Sequence, residues 1–332
     1  MVGEQSRSVA ALTAALAAQG HEVAVHGHDR VDADLVAGLG AAWRDEPPEV
    51  VHAQSWLAGM VSVLAVGDRP IGKVLTVPGT GSLDPDVRRL ERLVCRRIDR
   101  ILAAGGQQVR RLTALGVPRS QIAVVPHGVD HELFAPDGPS PRKGARHRLL
   151  GVGDLVPHNR FDLTISVLAV LGDTEFVVAG GPVRGNPEAE RLIRCARHYG
   201  VQDRLRLLGP VADMPALYRS ADMVVCTPAR STFATVALEA MSSGVPVIAS
   251  AVGGLSDAVV NAVTGLLVRP SRPADLARAV RHMLADSALR EAYGAAGRDR
   301  VFARYTWERV AADTSRAYAR AAYGAAPALQ RS

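Results

Sequence analysis

The sequence predicts an α/β protein built on parallel sheets, and two observations carry that expectation. Apolar segments of strand length alternate with segments of helical length almost throughout the 332 residues, the pattern of a doubly wound sheet with helices on both faces. Aromatic residues make up only 4% of the chain while 48% is apolar. The core is therefore built from Ala, Val and Leu, which suits helices on parallel strands better than an aromatic-rich sandwich. A chain of this length has room for about two domains.

The elements follow in order. Val9, Leu12 and Leu16 recur at helical spacing, so the chain opens in a helix. A secretory leader is the competing reading of residues 9–18, and Glu4 in its would-be basic region argues against it. Strands are expected at residues 22–26, 49–53, 73–77, 100–104 and 122–125. Residues 137–144 then read Asp-Gly-Pro-Ser-Pro-Arg-Lys-Gly, a linker composition without periodicity. A second series follows at 148–152, 175–179, 204–208, 223–226, 245–249 and 266–268. Residues 306–323 form a long Ala- and Arg-rich helix whose apolar side includes Trp307, Val310 and Tyr318. The expected organisation is a first Rossmann-like domain over 1–138, a second over 145–305, and a final helix over 306–325 that packs back on the first. Two such domains imply a ligand cleft between the carboxyl ends of their sheets. The strand that ordinarily opens a domain of this kind is absent ahead of the first helix; either the natural reading frame starts upstream or the strand has been lost.

Charge and cysteine usage exclude several classes. The formal net charge is +6, yet Lys73 and Lys143 are the two lysines and the other 37 basic residues are arginine. Beside the high Ala and Gly content this reads as GC-rich bacterial coding bias. Pairs such as Arg96-Arg97 and Arg110-Arg111 stand without interleaved aromatics, so a nucleic-acid surface is not expected. Cys95, Cys195 and Cys226 are odd in number and widely spaced, which predicts free thiols and a cytoplasmic protein. No apolar run approaches the ~20 residues of a transmembrane helix; peripheral contact with a membrane stays open.

Several chemical motifs fail on inspection. Residues 67–73, Gly-Asp-Arg-Pro-Ile-Gly-Lys, nearly spell a phosphate loop, but Val74 replaces the Ser/Thr and the segment precedes a strand instead of following one. His26-Gly-His28-Asp29 offers metal-ligand types at a strand end, where a turn into solvent is the plainer reading. There is no nucleophile elbow, no zinc-protease motif and no dinucleotide fingerprint. No metal or cofactor is expected.

Seven segments, in order, resemble one family. They are Gly20-His-Glu-Val-Ala-Val25, Val51-His-Ala-Gln-Ser-Trp56, Val125-Pro-His-Gly-Val-Asp130, Ala179-Gly-Gly-Pro182, Leu238-Glu-Ala-Met241, Gly244-Val-Pro-Val-Ile248 and Gly265-Leu-Leu-Val268. Together they are similar to the retaining glycosyltransferases of family 4, and the similarity spans nearly the whole chain. The resemblance implies a GT-B fold, two Rossmann-like domains facing a cleft, and transfer of a sugar from a nucleotide sugar to an acceptor held by the first domain. It also implies retention of configuration without a protein-bound metal. Glu239 matches the glutamate that holds the nucleotide ribose. It lies on a helix that starts near Thr232, Phe233 and Ala234, where free N–H groups and a partial positive charge suit phosphates. Gly153, His127-Gly128 and Gly3 fall at further donor-side positions of the family.

The chemistry-bearing positions depart from the family. Transfer leaves negative charge on the β-phosphate, which the family neutralises with an Arg and a Lys; here those positions hold Asp154 and Asn159. Losing one preorganised donor costs about 3 kcal/mol in such sites. Ser231 stands for the glutamate that contacts the donor sugar, Pro78 for a histidine after the third strand, and Gly3-Glu4 for a Gly-Gly loop. Arg160, one residue from the lost Lys, is the preferred substitute cation, with Arg184 and Arg230 as others. Two readings follow: a transferase with a rewired phosphate site, or a catalytically degenerate homologue that binds a ligand or serves an active partner glycosyltransferase.

Overall fold

The computed structural model describes residues 2–27, 32–77, 84–230 and 234–325. The chain divides into two compact units, one of residues 1–128 with 307–332 and the other of residues 129–306.

The first unit begins with helices α1 (Val2–Ala18) and α2 (Ala33–Asp45). It continues through β1 (Val50–Ala53), α3 (Trp56–Val66), β2 (Gly72–Thr76), α4 (Pro85–Cys95), β3 (Arg100–Ala103), α5 (Gly106–Ala114) and β4 (Ile122–Val124). The four strands form a parallel sheet in the order β1-β2-β3-β4. Side chains for the helix starts are in place: Ser55 accepts from the Ala58 N–H, and Asp84 from Asp86 and Val87. Leu75, Ile101 and Ala103 bury one face under Val94, Cys95 and Leu112. Val74 and Leu102 bury the other under Ala317 and Ala321 of the final helix, α13 (Trp307–Ala325).

Residues 22–26 do not form the expected strand. A strand needs a neighbour to take its backbone hydrogen bonds, and among the described residues β1 is the sheet edge and pairs with β2 alone. Val23 and Val25 accordingly remain 39% and 59% exposed. Alternation of apolar residues marks a segment able to pair; it does not supply the partner.

The second unit contains β5 (His147–Val152), α6 (Phe161–Leu168), β6 (Thr174–Ala179), α7 (Pro187–His198), β7 (Leu205–Gly209), α8 (Met214–Arg219) and β8 (Met223–Cys226). Then come α9 (Thr235–Ser242), β9 (Val247–Ser250), α10 (Gly253–Ala258), β10 (Gly265–Val268), α11 (Pro273–Ala285) and α12 (Ser287–Arg304). Its six parallel strands lie in the order β10-β9-β8-β5-β6-β7. One face carries Ile165, Leu192 and Val280 from α6, α7 and α11, and the other carries Leu238, Met241 and Val301 from α9 and α12. Strands buried on both faces explain the continuous apolar runs of the sequence.

The stretch 137–144 belongs to this unit. Lys143 pairs with Asp222 at 2.6 Å, Gly144 N–H donates to Glu175, and Arg219 donates to the Pro139 carbonyl. The division of units falls at Gly128–Val129 instead. Its Pro and Gly content marks irregular backbone, not freedom. Beneath it Arg148, 2% exposed, donates to Glu175 Oε1 at 2.7 Å, to Ser220 Oγ at 2.6 Å and to the Arg142 carbonyl at 2.7 Å.

Helix α13 is tied to the first sheet through His52. Its Nδ1 lies 2.7 Å from the Tyr318 hydroxyl and its Nε2 2.8 Å from Thr76 Oγ1, so one ring nitrogen of the neutral ring donates and the other accepts. Burial pushes the imidazole down to about 4 from 6.5. The folded state then binds fewer protons than the unfolded one between those values, so this contribution is complete above pH 6.5 and is lost as pH falls toward 4. Denaturant titrations between pH 7.5 and 4 are expected to show up to about 3 kcal/mol of acid-linked loss that is absent from His52→Gln. An equal pH slope in the variant contradicts the assignment.

Candidate functional site

The second sheet runs outward in both directions from its centre: β5, β6 and β7 fill one side and β8, β9 and β10 the other. Ligands of open α/β sheets bind beyond the strand carboxyl ends at such a reversal, which directs attention to the loops after β5, β6 and β8.

Those loops are drawn together by their backbones. Gly153 N–H donates to the Ala179 carbonyl at 2.9 Å and Gly180 N–H to the Gly209 carbonyl at 2.8 Å. A Cβ on Gly180 would lie 2.6 Å from the Gly153 oxygen, and φ there is +116°; only glycine satisfies both. The loop after β8 is held to the loop after β5: Ala229 N–H donates to the His158 carbonyl at 2.8 Å, and the Thr227 hydroxyl donates to the Asn159 and Arg160 carbonyls at 3.3 and 3.1 Å.

Helix α9 begins beyond that loop. Its N-cap is Ala234, which gives no side-chain cap, and the Thr235 hydroxyl is buried without a partner among the described residues. One and a half turns on, Glu239 Oε2 accepts from the Tyr218 hydroxyl at 2.7 Å. Tyr218 is fully buried, so it fixes the carboxylate from below. The neighbouring Cys226 thiol is pushed up to about 12 by burial and, secondly, by the charge of Glu239. The thiol is neutral.

The positions where the family carries cations hold Asp154 and Asn159. Asp154 is exposed at the end of β5. Asn159 spends its side chain on the loop itself, donating from Nδ2 to the Asp154 carbonyl at 2.8 Å. Arg160, in a left-handed conformation at φ 54°, sets Nε 3.3 Å from Asp162 Oδ1 and donates to Ser271 Oγ at 3.0 Å. The same Asp162 oxygen lies 3.5 Å from Arg191 Nη2, so the carboxylate is shared between two guanidinium groups. Arg184, after β6, and Arg230, after β8, are both exposed and make no side-chain hydrogen bond or ion pair among the described residues.

The other expected residues are distributed as follows. Ser231, Thr232, Phe233 and Pro78 lie outside the described residues. Gly3 sits in the first turn of α1. His127 and Gly128 close the first segment of the first unit. His127 Nδ1 lies 2.7 Å from the Gly128 carbonyl, so this nitrogen carries the proton and Nε2 accepts from the Ser8 hydroxyl at 2.7 Å. A Cβ on Gly128 would fall 2.5 Å from the Trp307 ring, which packs edge-on against His127. Packing within the unit accounts for both residues. The Tyr218 contact was not legible from sequence; Tyr218 lies 21 residues from its partner and reads as core.

This pattern, a reversed parallel sheet with glycine-bounded loops and a fixed carboxylate, defines a doubly wound α/β protein. Comparison with known proteins narrows the class. Residues 138–300 match the profile of glycosyl transferases group 1 and residues 26–133 that of glycosyltransferase family 4. The chain is 33% identical to a D-inositol 3-phosphate glycosyltransferase of Geodermatophilus obscurus over 92% of its length and 75% of the relative's. It is 34% identical to the same-named protein of Kribbella flavida over 81% and 70%. Among solved structures it superposes on a Thermosynechococcus elongatus sucrose-phosphate synthase with TM-score 0.80 at 24% identity, covering 95% of this chain and 92% of that one. Anabaena HepE in complex with UDP gives 0.77 at 19% identity, covering 86% and 82%. The fold is GT-B, and the chain belongs to the group 1, family 4 glycosyltransferases.

The close approach of the two loops is testable by pairing two glycines. Gly180→Ala places a methyl against a carbonyl, whereas Gly185→Ala, at φ +70°, meets nothing within 4 Å. The first is expected to lower stability by at least ~2 kcal/mol and the second by ~1 kcal/mol, both at unchanged m-value. Equal losses in urea titrations contradict the packing of these loops.

Proposed function

We propose that the protein binds a nucleotide sugar at the carboxyl edge of its second sheet and transfers the sugar to an acceptor with retention of configuration. The observation that carries this is Glu239, anchored by Tyr218 at 2.7 Å on a helix whose start is left uncapped. A fixed acceptor-only carboxylate is suited to the paired hydroxyls of a ribose. The N–H groups at the start of α9, with the Thr235 hydroxyl that has no partner among the described residues, are suited to the diphosphate. Arg184 and Arg230 are the side chains with charge to spare for the departing phosphate. UDP is the first nucleotide to test, because HepE was solved with it.

A second reading has its own support: a homologue that binds without turning over, or serves an active partner. Asp154 is an exposed carboxylate where a cation is expected, Asn159 is spent on a carbonyl, and Arg160 is paired with Asp162. Opposite signs would attract the phosphate; here one of the nearest groups repels it.

Asp154→Arg with Asn159→Lys restores both charges. The pair is expected to tighten nucleoside diphosphate binding by about tenfold or more, the worth of one charge-assisted hydrogen bond, measured by calorimetry. An unchanged dissociation constant means that the diphosphate lies elsewhere.

A further inference from the structure

The first unit carries a charged feature at the amino ends of β2 and β3. The segment 67–73, whose Gly-x-x-x-x-Gly-Lys spacing ends in the first residues of β2, and Arg96-Arg97, which follow α4, wall a cavity of about 550 Å³. Its basic lining is Arg69, Lys73, Arg96 and Arg97, and its one acid is Asp68.

The four cations are not equally engaged. Arg69 donates to the Val66 carbonyl at 2.9 Å, to the Gly40 carbonyl at 2.8 Å and to the Ala65 carbonyl. Carbonyls fix the guanidinium without cancelling its charge. Lys73, 13% exposed, is neutralised by Asp99 at 3.1 Å. Arg96 and Arg97 are exposed and their side chains make no hydrogen bond or ion pair among the described residues. The carboxyl ends of α3 and α4 add about half a negative charge each. Four cations against Asp68, Asp99 and two helix ends still leave a positive surplus around a space large enough for a small anion.

We propose that this cavity is a phosphate-anion site, separate from the nucleotide edge and independent of that reading. Arg69 supplies a fixed charge, and the forks of Arg96 and Arg97 take the phosphate oxygens bidentately. The same chemistry suits free inorganic phosphate and the phosphate of an anionic lipid headgroup.

Two arms separate these sources. The full chain is titrated with inorganic phosphate against chloride at constant ionic strength and read by thermal unfolding, and it is floated with vesicles of phosphatidylcholine alone or with phosphatidylglycerol. Arg96→Ala with Arg97→Ala is the variant; both side chains are exposed, so its melting in chloride should match the parent. A saturable phosphate response weakened roughly a hundredfold by the double variant, the loss of two charge-assisted hydrogen bonds, supports the site with free phosphate as ligand. Flotation that requires phosphatidylglycerol and is lost in the variant supports it with a headgroup as ligand. A response shared with chloride, or phosphate and vesicle binding that is absent or survives the double substitution, overturns it. A variant melting below the parent in chloride is replaced by Arg96→Gln with Arg97→Gln, read by the same criteria.

Discussion

The close approach of Gly180 to the Gly153 carbonyl governs the second unit. Two neighbouring parallel strands end with their loops in backbone contact, which leaves no room for a β-carbon between them. Once these loops are stacked, the β5 loop presents carbonyls of residues 158–160 to Ala229 and Thr227. The β8 loop is thereby held to the β5 loop at Thr227 and Ala229, and Glu239 lies on α9, the helix that follows.

Charge is arranged around that frame with unusual economy. Of the two positions where the family resemblance leads one to expect cations, one holds an exposed carboxylate, Asp154, and the other Asn159; nearby, Asp162 pairs with Arg160. The cations that remain unengaged, Arg184 and Arg230, come from the loops after β6 and β8 rather than the loop after β5. A phosphate site built on them would draw on different strands from the one it replaces, while Glu239 accepts from the hydroxyl of the buried Tyr218.

The sequence made most strands readable because a parallel sheet covered on both faces leaves uninterrupted apolar runs, as in residues 148–152 and 223–226. It misled at residues 22–26, where alternation is present and a pairing neighbour is not. It misled again at 137–144, since composition reports irregular backbone but not the ties from Lys143, Gly144 and Arg219 that hold the segment to the second unit. Glu239 was singled out as a candidate from its local motif. Tyr218, the paired state of Arg160 and the Ser8 contact that occupies His127 were not, because each depends on a residue distant in sequence or on a rotamer that only packing decides.

The central claim is that the carboxyl edge of the second sheet holds a nucleoside diphosphate through Glu239. The most direct measurement is a thermal-unfolding panel of the protein and of Glu239→Gln with UDP, GDP, ADP and TDP and their sugar conjugates, with and without Mg²⁺. A ligand at a hundred times its dissociation constant stabilises the folded state by about 2.7 kcal/mol. A stabilisation by one base, independent of Mg²⁺ and lost in Glu239→Gln, is the predicted result. No shift with any nucleotide, or a shift that Glu239→Gln leaves intact, would contradict the account.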